Sequence, residues 1–135
     1  MSVVEKAKWA AFNGIQYIGF AAWSASMMTM ATAAAALGKV AFTFAVARKY
    51  WAPGVLKMGV IKLDIHGLDK VDWTKPCVVV ANHQSLLDIP ALQAALPVNL
   101  RFIAKEELLS VPFLGRYMKH AGMIGIDRTQ PLAAL

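Results

Sequence analysis

Cysteine and acidic residues are both scarce in this chain. Its single cysteine, Cys77, rules out an intrachain disulfide and a cysteine-rich zinc site. That residue heads an apolar run and reads as packed there. Eight acidic residues stand against fourteen lysines and arginines, a formal charge of +6. No aromatic–basic interleaving and no recognised nucleic-acid motif goes with this charge, so nucleic acid is not the expected partner. Cations near a membrane element suit anionic lipid and phosphate-bearing substrates instead. There is also no internal repeat and no Gly-x-Ser-x-Gly elbow to present a serine nucleophile.

Charge is missing altogether from residues 9–38, which explains much of the 58% apolar and 16% charged composition. Such a balance is rich for a soluble domain. The uncharged run exceeds the roughly 20 residues that cross a bilayer core. It is nevertheless heavy in alanine and carries Asn13, Gln16, Ser24, Ser26, Thr29 and Thr32. A spanning helix is one reading. A second is half of an interfacial helical hairpin with residues 40–50, and a third is a buried core helix. A cleaved signal peptide fits poorly, because the apolar stretch is too long. Lys39, Arg48, Lys49 and Lys57 follow the run, whereas Lys6 and Lys8, offset by Glu5, precede it. If the segment spans, the positive-inside rule puts the remainder in the cytoplasm. The clustered Met27, Met28 and Met30 read as lipid-facing packing.

Beyond the run, the pattern alternates between strand and helix. Ile61, Leu63 and Ile65 alternate with Lys62, Asp64 and His66, the period of a half-buried strand. Residues 67–76 are a turn-rich connection with Asp69, Asp72 and Pro76. Residues 78–81 read as a central buried strand and 86–95 as the helix after it. Residues 99–104 read as a further strand, 105–109 and 113–121 as helices, and Gly122 falls just past the second. Residues 123–126 then read as a strand delivering Asp127 and Arg128 to its C-terminal edge. Alternation of this kind indicates an α/β sandwich.

The sharpest feature lies between the central strand and its helix: Asn82-His83-Gln84-Ser85-Leu86-Leu87-Asp88. In open α/β sheets ligands bind outside the carboxyl ends of the strands, where this stretch falls. A histidine can take a proton from an alcohol near neutral pH, and a neighbouring carboxylate can fix its tautomer. The same residues admit duller readings. Ser85 and Asp88 form a capping-box-like S-x-x-D, although Pro90 argues against that register by falling beyond the first turn. Ser85 could also be a nucleophile, but it sits two residues from His83 and lacks the elbow. His66 and His120 read as a strand residue and a helix-end residue.

Residues 82–88 match every fixed position of N-H-x-S-x-x-D, the first signature of the glycerolipid acyltransferase family, which the chain resembles. Gly122-Met123-Ile124-Gly125-Ile126-Asp127-Arg128 is similar to the second signature, with Gly125 where the family usually has phenylalanine. Residues 104–108 and 112–115 are also similar to family segments, so the resemblance runs over roughly residues 55–130. The third signature, a Phe-Pro-Glu-Gly-Thr-Arg-like stretch, and the apolar fourth do not occur.

The resemblance implies an N-terminal helical membrane anchor, residues 1–54, followed by a partial αβα acyltransferase sandwich, residues 55–135. It further implies that this is the N-terminal portion of a longer enzyme. His83 would be the general base on the free hydroxyl of a lysophospholipid acceptor such as lysophosphatidate. Asp88 would orient it. Arg128 would bind the acceptor's phosphate, with Lys105 adding positive charge, and Asn82 and Ser85 would shape the loop. Arg128 paired with Asp127, and Lys105 on a solvated face beside Glu106 and Glu107, are the competing readings. No metal or cofactor is expected. The co-substrate is acyl-CoA or acyl-carrier protein, the membrane is the other partner, and the catalytic part faces the cytoplasm. The alternatives are transfer to glycerol-3-phosphate or another lysophospholipid, and a membrane-anchored portion that does not turn over.

Overall fold

The computed structural model describes residues 2–127. Its first element, α1, runs Val3–Ala36 and starts on a full capping box: Glu5 N–H donates to Ser2 Oγ, and Ser2 N–H donates to Glu5 Oε2 at 2.7 Å. At 34 residues it is about 50 Å long. Gly38, at φ 74°, turns the chain back. The return limb is α2 (Val40–Ala45), a π-turn (Val46–Trp51) and α3 (Ala52–Met58). The expected hairpin therefore forms, and its return limb is longer than the pattern suggested.

Alanine decides how the hairpin packs. Ala31, Ala34 and Ala35 are buried near the bend, where short side chains let the limbs approach closely. The return limb buries Phe44, Val46, Ala47, Ala52, Val55 and Leu56. Polar side chains then bridge the limbs. Gln16 Nε2 donates to the Met58 carbonyl, Trp23 Nε1 to the Trp51 carbonyl, and Trp51 Nε1 to Ser24 Oγ. Thr43 Oγ1, fully buried, donates to the Ala31 carbonyl at 3.0 Å. Trp23 lies so close to Gly54 that a Cβ there would run into its indole nitrogen.

These contacts revise the anchor expected for residues 1–54. Among the described residues, no helix is long and apolar enough to cross a membrane. Alanine contributes too little hydropathy, and Gln16 and Ser24 are engaged across the hairpin. The spanning reading thus lacks its helix, and with it goes the positive-inside argument for a cytoplasmic catalytic part. The end of α1 near the bend matches the core-helix reading instead. Its first turns differ: Val3, Val4, Trp9, Phe12, Ile15 and Ile18 are all exposed.

After α3 the chain is irregular to Leu87 apart from a single 3-10 turn, Leu68–Lys70. Helix α4 (Asp88–Ala95) follows and packs on α3 and the π-turn through buried Pro90 and Gln93. Strand β1 (Ile103–Lys105), a 3-10 turn (Glu106–Ser110), α5 (Leu114–His120) and β2 (Ile124–Ile126) complete the described fold. The strands are parallel, with Ile103, Ala104 and Lys105 opposite Ile124, Gly125 and Ile126. Helix α5 also packs against α1, with Met118 and Ala121 buried.

The expected sandwich is therefore present only as one strand–helix–strand unit. Residues 61–66 and 78–81 are not strands. Val78 and Val80 stand 88% and 91% exposed. Apolar alternation describes what a strand buries, but a ladder needs a neighbour, and among the described residues neither segment has one. The strand expected at 99–104 forms only from Ile103, while Gly122 does sit just past α5, at φ 67°.

Candidate active site

Asp88 opens α4, and its carboxylate turns back over the preceding loop. A single oxygen, Oδ2, gathers three donors: the backbone N–H groups of Gln84 at 2.8 Å and Ser85 at 2.9 Å, and His83 Nδ1 at 3.0 Å. The Ser85 amide, followed by the His83 ring, pulls the Asp88 carboxyl below its usual range. A charged Asp88 accepts from Nδ1, which leaves the lone pair on Nε2. Nε2 has no partner among the described residues. The imidazole is 62% exposed, open to an incoming hydroxyl.

The loop itself holds this geometry. Ser85 Oγ accepts from Leu87 N–H at 3.1 Å, and Asp88 N–H donates to the Ser85 carbonyl. Of the competing capping box only the Ser85 N–H to Asp88 Oδ2 bond is present, and the residue flanking α4 is Leu87, which caps nothing through its side chain. Pro90, third in α4, stays within the first turn, where a missing N–H is not felt. Pro90 argues against Ser85 as the cap of this helix, and α4 indeed begins at Asp88, two residues later than the pattern suggested. Asn82 is exposed, with no side-chain hydrogen bond among the described residues.

The other expected residues stand elsewhere. Lys105 closes β1 and pairs with Glu107 at 2.8 Å, both exposed. Glu107 is held below the ordinary carboxyl range chiefly by Lys105, with Asp127 opposing. Lys105, Glu107 and Asp127 accordingly cluster at the C-terminal edge of the two strands. Arg128, the expected phosphate ligand, lies outside the described residues. No hydrogen bond or ion pair among the described residues joins Lys105 or Glu107 to His83 and Asp88. His66 pairs with Asp64 at 2.9 Å on an irregular exposed segment, and His120 Nδ1 contacts the Arg116 carbonyl at the end of α5.

Sequence reasoning missed Gln84, which takes part only through its N–H and so leaves no side-chain signal. Gly125 is better understood in three dimensions. A Cβ there would lie 2.6 Å from Leu109 Cδ1, so the leucine occupies the space into which a larger residue would project.

A histidine held by a carboxylate, with its outer nitrogen free of partners among the described residues, is an arrangement able to accept a proton. The model of the Acyltransferase family matches residues 62–134, more than half of the chain, and the protein belongs to that family. The relatives are more particular. The 1-acyl-sn-glycerol-3-phosphate acyltransferase of Helicobacter pylori is 53% identical over 51 residues, 38% of this chain and 22% of that protein. The human beta form of the enzyme is 33% identical over 75 residues, 56% of this chain and 27% of its own length. The Saccharomyces cerevisiae enzyme is 41% identical over 61 residues, 45% and 20% of the two chains. The chain thus spans about a fifth to a quarter of these relatives. No solved structure matches.

Proposed function

We propose that the protein, or the enzyme of which it is part, transfers a fatty acyl group to the free hydroxyl of lysophosphatidate, giving phosphatidate. The observation that carries this reading is the pairing of Asp88 Oδ2 with His83 Nδ1 at 3.0 Å, with Nε2 open. His83 Nε2 removes the acceptor's hydroxyl proton as its oxygen attacks the thioester carbonyl of acyl-CoA or acyl-carrier protein. The tetrahedral adduct collapses, the carbon–sulfur bond breaks, and the thiolate takes the proton back from His83. Asp88 stabilises the imidazolium between these steps. Arg128 is assigned to the acceptor phosphate, where a guanidinium gives bidentate charge-assisted hydrogen bonds. Lys105 adds positive charge once its pairing with Glu107 is exchanged for substrate. The acceptor is reached at a membrane surface, with the exposed apolar first turns of α1 and nearby Lys6 and Lys8 lying in the interface.

One observation favours a second reading, an anchored portion that keeps the base without turnover. The segment leading into His83 is exposed at Val78 and Val80, and among the described residues no strand pairs with it to brace the loop. Thiol release from acyl-CoA in the presence of lysophosphatidate, with the chain in lipid, decides between them. Release that needs both the acceptor and His83 supports transfer. No release supports the second reading, and release that survives His83→Ala rejects the mechanism.

A further inference from the structure

A tight corner joins the 3-10 turn to α5. Leu114 N–H donates to the Pro112 carbonyl at 2.7 Å, closing a three-residue turn around Phe113 at φ 62° and ψ −57°. This is the rare and strained hand of the γ-turn, costly for a residue with a Cβ. The corner is packed tightly: a Cβ on Gly115 would run into the Leu109 carbonyl oxygen. The strained residue is also the one held out to solvent, with Phe113 61% exposed.

Beside it lies an open hollow of about 450 Å³. Leu109, Val111, Pro112 and Phe113 form its apolar part, and Arg116 and Lys119 its rim. No acidic residue lines it, and neither cation forms an ion pair among the described residues. Helix α5, which carries both cations, packs on α1. An apolar tip ringed by unneutralised cations is complementary to a surface that is negative outside and apolar beneath.

We infer that the Phe113 corner, with Arg116 and Lys119, docks on an anionic lipid bilayer, Phe113 entering the headgroup–acyl boundary and the two cations meeting lipid phosphates. The inference does not rest on acyl transfer, because vesicle binding reads it whether or not His83 turns anything over. It also differs from the contact assigned to α1, because it concerns another face and predicts a dependence on lipid charge at two particular residues.

The test uses the full chain with vesicles of phosphatidylcholine alone, and of phosphatidylcholine and phosphatidylglycerol in a three-to-one ratio. Arg116→Gln and Lys119→Gln, both exposed changes, each weaken sedimentation with the mixed vesicles about fivefold and leave the neutral ones unaffected. Phe113→Asn, which tolerates the positive φ, weakens binding to both about tenfold. A second measurement reads the corner directly. In a Cys77→Ser chain carrying Phe113→Cys and an environment-sensitive dye, with far-UV circular dichroism matching the parent, emission shifts to the blue on mixed vesicles. It is then quenched by lipids brominated on their acyl chains. A dye that stays in water while the chain sediments overturns the proposal, as do glutamine variants that bind like the parent. A blue shift produced by soluble acyl-CoA without lipid also overturns it, and assigns the hollow to a soluble anion.

Discussion

His83 Nδ1 lies 3.0 Å from Asp88 Oδ2, and the same oxygen accepts the amides of Gln84 and Ser85. The carboxylate is therefore fixed by backbone before it meets the imidazole, so the tautomer is set by a rigid partner. Replacing Asp88 by asparagine keeps the shape, and the Gln84 and Ser85 amides hold the carboxamide oxygen at the Oδ2 position, so it still accepts from Nδ1 while the negative charge that stabilises the imidazolium is lost. Asp88→Asn should therefore slow thiol release, by less than removal of the base itself. His83→Ala should lose about 10²–10⁴-fold, the usual worth of general-base assistance. Steady-state rates of thiol release for both variants in lipid check this. An Asp88→Asn chain as active as the parent would remove Asp88 from the mechanism.

The same hydrogen bonds set how Asp88 responds to acid. Its carboxyl is held below the usual range, first by the Ser85 amide and then by His83. Because the folded-state value is the lower one, its contribution to stability is complete above the unfolded aspartate value of about 3.9. That contribution is lost as pH falls through the folded-state value. The group thus remains an acceptor throughout the neutral and mildly acidic range. Carbon-13 titration of the side-chain carboxyl should give a midpoint below that of a free aspartate, and His83→Ala should raise it. A midpoint at or above the free value would contradict the three-donor arrangement.

The two glycines near Leu109 differ in a way that stability measurements can read. At Gly115 a Cβ would meet the Leu109 backbone carbonyl, which cannot move without shifting the 3-10 turn. Gly115→Ala should destabilise by about 1–3 kcal/mol, the range for overpacking. At Gly125 the obstacle is the end of the Leu109 side chain, which can rotate, so Gly125→Ala should cost less. Gly14, half-buried on α1 with nothing within 4 Å of an added Cβ, is the control. Gly14→Ala should stabilise by about 0.5–1 kcal/mol through helix propensity. Thermal melting of the three variants should rank them in that order.

The candidate site was legible because its chemistry is local. His83, Ser85 and Asp88 fall within six residues, and one loop with one helix start brings them together. The helical hairpin was one of three readings the uncharged run allowed, and the turn at Gly38 that decides for it is seen only in the fold. What could not be read was pairing. Val78, Val79 and Val80 carry a strong β signature, but the signature reports what a strand would bury and not which strand hydrogen-bonds to it. The same limit hid the interhelical roles of Gln16 and Ser24. In the sequence they only diluted the apolar run, whereas in the fold they hold the hairpin limbs together. Lys105 was legible as a charge near a strand end, and only the geometry shows that Glu107 already holds it.

The unpaired valines lead to the last prediction. Val78 and Val80 are exposed beside a backbone that no neighbouring strand satisfies among the described residues. Unpaired apolar backbone of this kind templates pairing with other copies. Without lipid or detergent the chain should therefore self-associate, more strongly as concentration rises. Val78→Lys with Val80→Lys places charge along the segment, a device natural edge strands use against such pairing. Neither substitution opens a cavity, because neither side chain is buried. Sedimentation velocity in detergent-free buffer should show large species for the parent and a shift toward monomer for the double variant. A parent that is monodisperse and monomeric would show that these valines are covered in solution, in contradiction to the exposure described above.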